Sequence, residues 1–212
     1  MYKIDKYLAE ETGVHIGDGS LNIYKNNNPC YTVACHKKDD KEYMDTFLLP
    51  LIKRVYKKEP KPRYWSRGTY GFRIRSMKIL QFKHNTLGLP LGKKKDIIIP
   101  SIIRTNNYLM KFLIRGLFDT DGSITIWRTN NKLYPRIYFS NISEKLVNQI
   151  KDYLQKEGFR VTYWKTIYKD NNWNTIHKLS INGYIMLFKW ANEIGFKNPK
   201  NLKKIQVLKS KM

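Results

Sequence analysis

Hydrophobic residues recur at spacings of three and four through Leu113, Ile114, Leu117 and Phe118, which predicts a helix running up to Asp121-Gly122. A weaker version, through Tyr7, Leu8, Glu11, Val14 and His15, runs up to Asp18-Gly19. Past each Asp-Gly the period drops to two. Leu21 and Ile23, like Ile124 and Ile126, predict strands with one face in a core. Gly19 and Gly122 stand where a helix end favours a residue with positive φ. Each unit therefore reads helix, stop, strand.

The same order of elements follows both units. In the first half the pattern predicts strands at about 20–27 and 30–37, joined by the turn Asn26-Asn27-Asn28-Pro29. Val33 and Cys35 face the core there, with Thr32, Ala34 and His36 outward. A helix at about 40–57 carries Tyr43, Phe47, Leu48, Leu51, Ile52 and Val55. Strands at about 63–67 and 71–76 and a helix at about 77–85 complete the half. A connection spans about 92–107, its Ile97-Ile98-Ile99-Pro100 run docking on the core. The second half repeats the plan with strands at about 123–130 and 134–141, a helix at about 143–157, strands at about 159–168 and 174–181, and a helix at about 183–194. Phe188 falls near the place of Phe82. A basic tail, Lys197 to Met212, holds a last helix with Leu202, Ile205 and Leu208 on one face.

Gly13 and Gly116, Asp18 and Asp121, Gly19 and Gly122, and Ser20 and Ser123 are each separated by 103 residues. A fixed offset of this kind reports a duplicated unit. The expected domains are 1–105, with a motif helix at 7–19, and 106–212, with a motif helix at 108–122. Gly13 and Gly17, like Gly116 and Thr120, lie one helical turn apart, and small residues so spaced let two helix backbones pack closely. These four are the expected helix interface. Side-by-side packing brings Asp18 and Asp121 together at the negative ends of two helix dipoles, a placement that a divalent cation relieves. Carboxylates suit Mg²⁺, with Mn²⁺ as a substitute, and the chemistry inferred is metal-assisted hydrolysis of a phosphodiester. Gly17 and Thr120, which precede the aspartates, join them as candidate metal-site positions. One Asp-Gly alone is an ordinary turn; two at one offset make the case. Asp119 has no counterpart, since Ile16 stands there, and reads as structural.

The stretch from Ile114 to Gly122 closely resembles the signature of the LAGLIDADG homing endonucleases in their single-chain, two-motif form. The stretch from Glu11 to Gly19 is looser, with Glu11 and His15 at normally apolar positions. The resemblance implies an α+β fold of two tandem αββαββα domains related by a pseudo-twofold. Each domain contributes a curved antiparallel sheet to a DNA-binding saddle. It also implies catalytic metal binding by Asp18 and Asp121 and a basic residue after the second strand of each domain. Lys38 takes that place in the first domain, with Lys37 before it. Aligning Ser143-Glu144-Lys145 with Asp39-Asp40-Lys41 sets Ile142 where the partner lysine is expected.

Composition agrees with this reading. The chain has 212 residues, 42% of them hydrophobic, which is enough for two small cores. A formal net charge of +23 calls for a polyanionic partner. Cys30 and Cys35 lack metal or disulfide spacing and read as packed thiols. The four histidines form no ligand motif, and no apolar run is long enough for a membrane span, so a soluble intracellular protein is expected, in a prokaryotic cytoplasm or an organelle matrix.

Strand alternation sends Asn22, Tyr24, Arg73, Arg75, Thr125, Trp127, Arg136, Tyr138, Trp164 and Lys178 to the solvent face, where such types contact bases and phosphates. With Lys37 they form the expected DNA interface. The expectation is a monomeric endonuclease that cuts both strands of a long, asymmetric duplex site, either free-standing or intron-encoded. Two rivals stand beside it: an RNA maturase with intron RNA as partner, and a DNA-binding regulator with a dead site.

Overall fold

The computed structural model describes residues 2–65, 68–130, 132–168 and 174–210. The ends of the strand expected at 63–67 and of the basic tail, residues 66–67 and 211–212, lie outside the described residues. Helix α1 (Lys6–Asp18) begins where the Asp5 carboxylate accepts the N–H of Tyr7 (2.9 Å) and Leu8 (3.1 Å), filling donors that a helix start leaves open. It is followed by β1 (Gly19–Tyr24), β2 (Asn28–His36) and a helix, α2, over residues 41–56. Then come β3 (Pro62–Tyr64), β4 (Thr69–Ile74) and helix α3 over residues 77–86. The connection contains a short helix that the pattern did not predict, α4 (Ser101–Arg104). Ile97 and Ile99 are buried while Ile98 is exposed, so the run docks on alternate residues.

The second half is α5 (Asn107–Thr120), β5 (Gly122–Thr129), β6 (Lys132–Asn141), α6 (Glu144–Lys156), β7 (Val161–Thr166), β8 (Ile176–Asn182) and α7 (Tyr184–Glu193). Helix α8 (Pro199–Lys209) follows. Two four-stranded antiparallel sheets result, ordered β1-β2-β4-β3 and β5-β6-β8-β7. The α+β duplication is as expected. The strand expected at 20–27 stops at Tyr24, because Asn26 and Asn27 take φ of 61° and 54° in the turn.

Four expectations about the fold need correction. Ile23, expected beside Leu21 on the core face of β1, is exposed near the end of the strand. Neither motif glycine takes positive φ: Gly19 sits at −85°, and Gly122 also lies outside that region. Crowding requires them instead. A Cβ would fall 2.6 Å from His15 Cα at the first and 2.7 Å from Phe118 O at the second. Leu202 is exposed, and the buried face of α8 is Asn201, Ile205 and Leu208. Asn201 turns inward because its Oδ1 accepts the N–H of Ile124 (3.3 Å). Phe188 is not the counterpart of Phe82, as the strand register makes clear below.

α1 and α5 meet backbone to backbone. A Cβ on Gly13 would overlap the Leu113 carbonyl, one on Gly116 the Glu10 carbonyl, and one on Gly17 the Thr120 hydroxyl. The four expected interface residues are thus the crossing itself. Beside it, Arg115 donates from Nε and Nη2 to the Glu10 carboxylate (2.6 and 2.7 Å), a two-pronged pair between the halves.

The two cores differ in kind. Val33 pairs with Gly19 and Phe72, and Phe139 pairs with Gly122 and Leu179, which fixes equivalence across the sheets. Carried into the helices, this register sets Lys83 against Trp190 and Tyr31 against Ile137. In the first core Glu11 accepts from Tyr31 Oη (2.5 Å), Tyr56 Oη (2.7 Å) and Lys83 Nζ (2.8 Å), all buried. In the second, Ile114, Phe118, Ile137, Phe159 and Trp190 are all buried and apolar. Trp190 lies against Phe118 and Phe159, at 4.6 and 5.8 Å between ring centroids.

Candidate active centre and nucleic-acid interface

Asp18 is the last residue of α1, and Asp121 caps the end of α5. The crossing at Gly17 and Thr120 brings them together. A Cβ on Gly17 would stand 3.4 Å from the Asp121 carboxyl carbon. Burial pushes the Asp18 carboxyl up to about 7, with the Asp121 and Asp40 charges adding to it and Lys94 and Lys200 opposing. Burial likewise raises Asp121 to about 6 against the same two lysines. Two half-buried carboxylates kept partly protonated near neutrality form a donor set that a divalent cation satisfies. Among the described residues no group of three or more His, Cys, Asp or Glu side chains could hold a metal, so water and substrate oxygens would complete the shell.

Lys94 and Lys200 were not singled out in the sequence. Lys94 Nζ donates to the carbonyls of Ile16 (2.8 Å), Gly17 and His15 (3.4 Å), neutralising the negative end of α1. Burial lowers its pKa, and Asp121 and Asp18 work against that. The Gly17 carbonyl, a candidate metal-site atom, is thus already held by an ammonium. Thr120 Oγ1 donates back to Leu117 O (2.9 Å) and Gly116 O (3.2 Å). At the end of α5 the cap is neutral, Asn198 Nδ2 donating to Asp119 O (2.9 Å). Asp119, read as structural, is buried and accepts the backbone N–H groups of Lys197 (2.8 Å) and Asn198 (3.0 Å). Lys93, Lys94 and Lys95 look alike in sequence, and only the fold turns the middle one inward.

Lys38 lies exposed in the turn 37–39 after β2. The expected alignment of Ile142 with Lys38 is out of register. Strand pairing sets His36 against Ile142, and the helix caps set Asp40 against Ser143. Lys37, Lys38 and Asp39 are therefore an insertion with no counterpart, which is why the second half offers no partner lysine. Each half also braces the other's loop. Asp40 Oδ1 accepts from Asn198 Nδ2 (2.8 Å) and Lys200 Nζ (2.6 Å), while Ser143 Oγ donates to Ile97 O (2.7 Å).

The outward residues expected at the interface form cross-strand rows. Thr125, Arg136 and Asn182 make one row, and Ser140, Lys178 and Trp164 another. Arg136 Nε donates to Asn182 Oδ1 (2.9 Å), and its guanidinium lies 5.3 Å from the Trp127 ring. Tyr138 and Trp164 rings sit 6.0 Å apart. In the first sheet Arg73 lies between Tyr24 and Trp65, at 5.9 and 5.7 Å. Asn22 lies opposite Cys30, and Arg75 stands exposed just past β4. Lys37 is anchored through its N–H to Gly68 O (2.8 Å). Asn182 and Trp65 were missed, although Asn182 shares the outward parity of Lys178 in β8.

Residues 109–195 match the LAGLIDADG-like domain family. A crystal structure of I-DmoI, described as in complex with DNA and Ca, superposes with a TM-score of 0.65 at 17% identity, covering 95% of this chain and 97% of that one. The chain has the two-motif LAGLIDADG fold. The LAGLIDADG meganuclease I-AabMI, bound to uncleaved DNA, gives a TM-score of 0.58 at 15% identity, over 98% of this chain and 93% of that one. Two proteins of Methanocaldococcus jannaschii are also similar. One is a glutamine–fructose-6-phosphate aminotransferase, 25% identical over 97% of this chain but 18% of its own length. The other is the uncharacterised protein MJ0314, 26% identical over 74% of this chain and 56% of its own. The chain thus spans less than two thirds of either. Among its described residues no helix of this LAGLIDADG fold is long and apolar enough to cross a membrane.

Proposed function

We propose that this chain is a site-specific, divalent-metal-dependent DNA endonuclease that works as a monomer and cuts both strands of a long, asymmetric duplex target. The observation that carries the reading is the meeting of Asp18 and Asp121, one from each half, at the crossing of α1 and α5. One carboxylate per half suits a reaction performed once per strand. Asp18 and Asp121 would hold the cation, Mg²⁺ in the cell with Mn²⁺ able to replace it, and the bound ion supplies charge stabilisation to the phosphodiester oxygens. Lys94 and Lys200 counter the charge of the carboxylates and of the approaching backbone phosphate. Lys38, on its exposed turn, is suited to assist at one strand only.

The two sheets carry different outward side chains at equivalent places, Asn22 against Thr125 and Arg75 against Asn182, which suits half-sites of different sequence. Neighbouring structures described with DNA and with Ca, Mn or Mg support duplex DNA and a divalent ion, and nothing in them supports intron RNA. The test is cleavage of a randomised duplex library in Mg²⁺ beside Asp121→Asn. Enrichment of one long site, lost in the variant, is the expected result; duplex binding without cutting by the parent chain would sink the proposal.

A further inference from the structure

The active centre has two lysines, and they are held by different means. Lys94 is fixed by main-chain carbonyls of α1. Lys200 is fixed by side chains: its Nζ bonds Asp40 Oδ1 at 2.6 Å, and the same oxygen accepts Asn198 Nδ2 at 2.8 Å. Asn198 is fully buried with its polar groups engaged. Its N–H donates to Asp119 Oδ1 (3.0 Å), its Nδ2 also to Asp119 O (2.9 Å), and its Oδ1 accepts the N–H of Lys200 (3.1 Å). A continuous chain of contacts thus runs from Asp119, two residues before Asp121, through Asn198 to Asp40 and Lys200.

Among the described residues no such chain exists on the other side. The counterpart of Asp119 is Ile16, and that of Asp40 is Ser143, whose hydroxyl holds the Ile97 carbonyl. Lys200 keeps 28% of its side chain exposed, so an ammonium with three donors and one carboxylate partner still has hydrogens to offer a phosphate.

From this one-sided arrangement we infer that Asp40 and Asn198 are positioning residues that aim Lys200 at the scissile phosphate of one strand, making cleavage of that strand dependent on them and cleavage of the other not. The inference rests on the endonuclease reading above and adds to it which residues set the balance between the strands. An arginine could not take over from Lys200, because its planar fork does not fit a point contact shared with Asn198.

The test is strand-resolved cleavage of an end-labelled target by the parent chain, Asp40→Ala, Lys200→Met and the double variant. Each single variant is expected to slow the same strand about tenfold and leave the other within about twofold, so nicked duplex accumulates. The double variant should be no slower than Lys200→Met alone, since the two residues act as one unit. Equal slowing of both strands, or effects that multiply, overturns the inference. Asp40→Asn, which keeps an oxygen for Asn198, serves if the alanine variant does not fold.

A second readout needs no cleavage. The rate at which an amine-acylating reagent modifies Lys200, followed by peptide mass analysis, should rise several-fold in Asp40→Ala and Asn198→Ala. An unchanged rate overturns the positioning role. A parent chain that fails to cut while Lys200 still responds would overturn the endonuclease reading and leave the geometry standing.

Discussion

The ammonium of Lys83 lies 2.8 Å from the carboxylate of Glu11, and neither side chain reaches solvent. Burial lowers the Lys83 pKa while Glu11 works to raise it. Removing one partner strands the other charge, at a cost of about 3–5 kcal/mol. Lys83→Met should therefore destabilise strongly in urea titration. Lys83→Met combined with Glu11→Ile, Tyr31→Phe and Tyr56→Phe, which removes every polar group of the cluster together, should recover most of the loss, since the equivalent core is built from Ile114, Ile137, Phe159 and Trp190. A combined variant as unstable as the single one would show that the cluster has no replaceable role.

His15 is fully buried, with neither ring nitrogen partnered, where the other half has Phe118. Burial first, and then Lys83 and Lys94, hold its pKa well below the usual value, so the ring is neutral. An unsatisfied buried polar group costs about 1–3 kcal/mol. His15→Phe should accordingly raise stability by about 1–2 kcal/mol in chemical unfolding; a loss would mean that the space beneath Gly19 is too tight for the ring.

Gly116 and Gly88 separate crowding from backbone strain. A Cβ on Gly116 would overlap the Glu10 carbonyl, while Gly88 has open space and φ of +67°. Gly116→Ala should cost about 3 kcal/mol or more and disturb the α1–α5 crossing. Gly88→Ala should cost about 1 kcal/mol, the left-handed penalty alone. Thermal melts of the two variants decide it, and similar losses would refute the tight crossing.

Cation binding should be proton-coupled. The folded pKa values of Asp18 and Asp121, about 7 and about 6, are raised above those of an unfolded chain. In the metal-free protein these groups therefore favour the folded state at low pH, a contribution lost as pH rises through about 6 to 7. A divalent cation competes with those protons. Stabilisation by Mg²⁺ or Ca²⁺ should be near zero at about pH 5.5 and largest above about pH 7.5, and Asp121→Asn should abolish most of it. A pH-independent shift in melting temperature would contradict this account.

Duplex binding should divide by contact type. Arg136, steadied by Asn182 and Trp127, is suited to a base edge, and Arg136→Ala should cost about 1–3 kcal/mol on one target and relax one position of it. Lys37→Ala should weaken all duplexes alike and lower the salt-dependence slope by about one. Titrations at several salt concentrations, on matched and altered targets, distinguish the two. Identical behaviour of both variants would mean that Arg136 reads phosphate.

Periodicity and the repeat made the fold legible, because core helices and half-buried strands follow spacing rules that survive without an alignment. Asp18, Asp121 and the glycine crossing were legible for the same reason: the duplication marked them twice. Asp40, Lys94, Asn198 and Lys200 were not. Their roles arise from contacts across long stretches of chain, and nothing local tells Lys94 from Lys93. The misplacing of Ile142 has a plain origin, since the second hairpin is longer and the following turn shorter, and the two changes cancel within a constant offset. Glu11 and His15 looked like blemishes in a motif, but Glu11 proves to be the centre of a polar core.

The exchange of braces, Asp40 held from the second half and Ser143 holding the connection of the first, bears on how such a chain could be divided. Two modules on a string can be severed and each retain its share of function. Here the loop at Asp40 is held by the second module and the loop at Ser143 rests on the connection of the first, as in a pair of interlaced hands. Fragments parted at the connection would have to find each other before either loop was shaped, so concentration, and no longer folding alone, would govern when the chemistry begins.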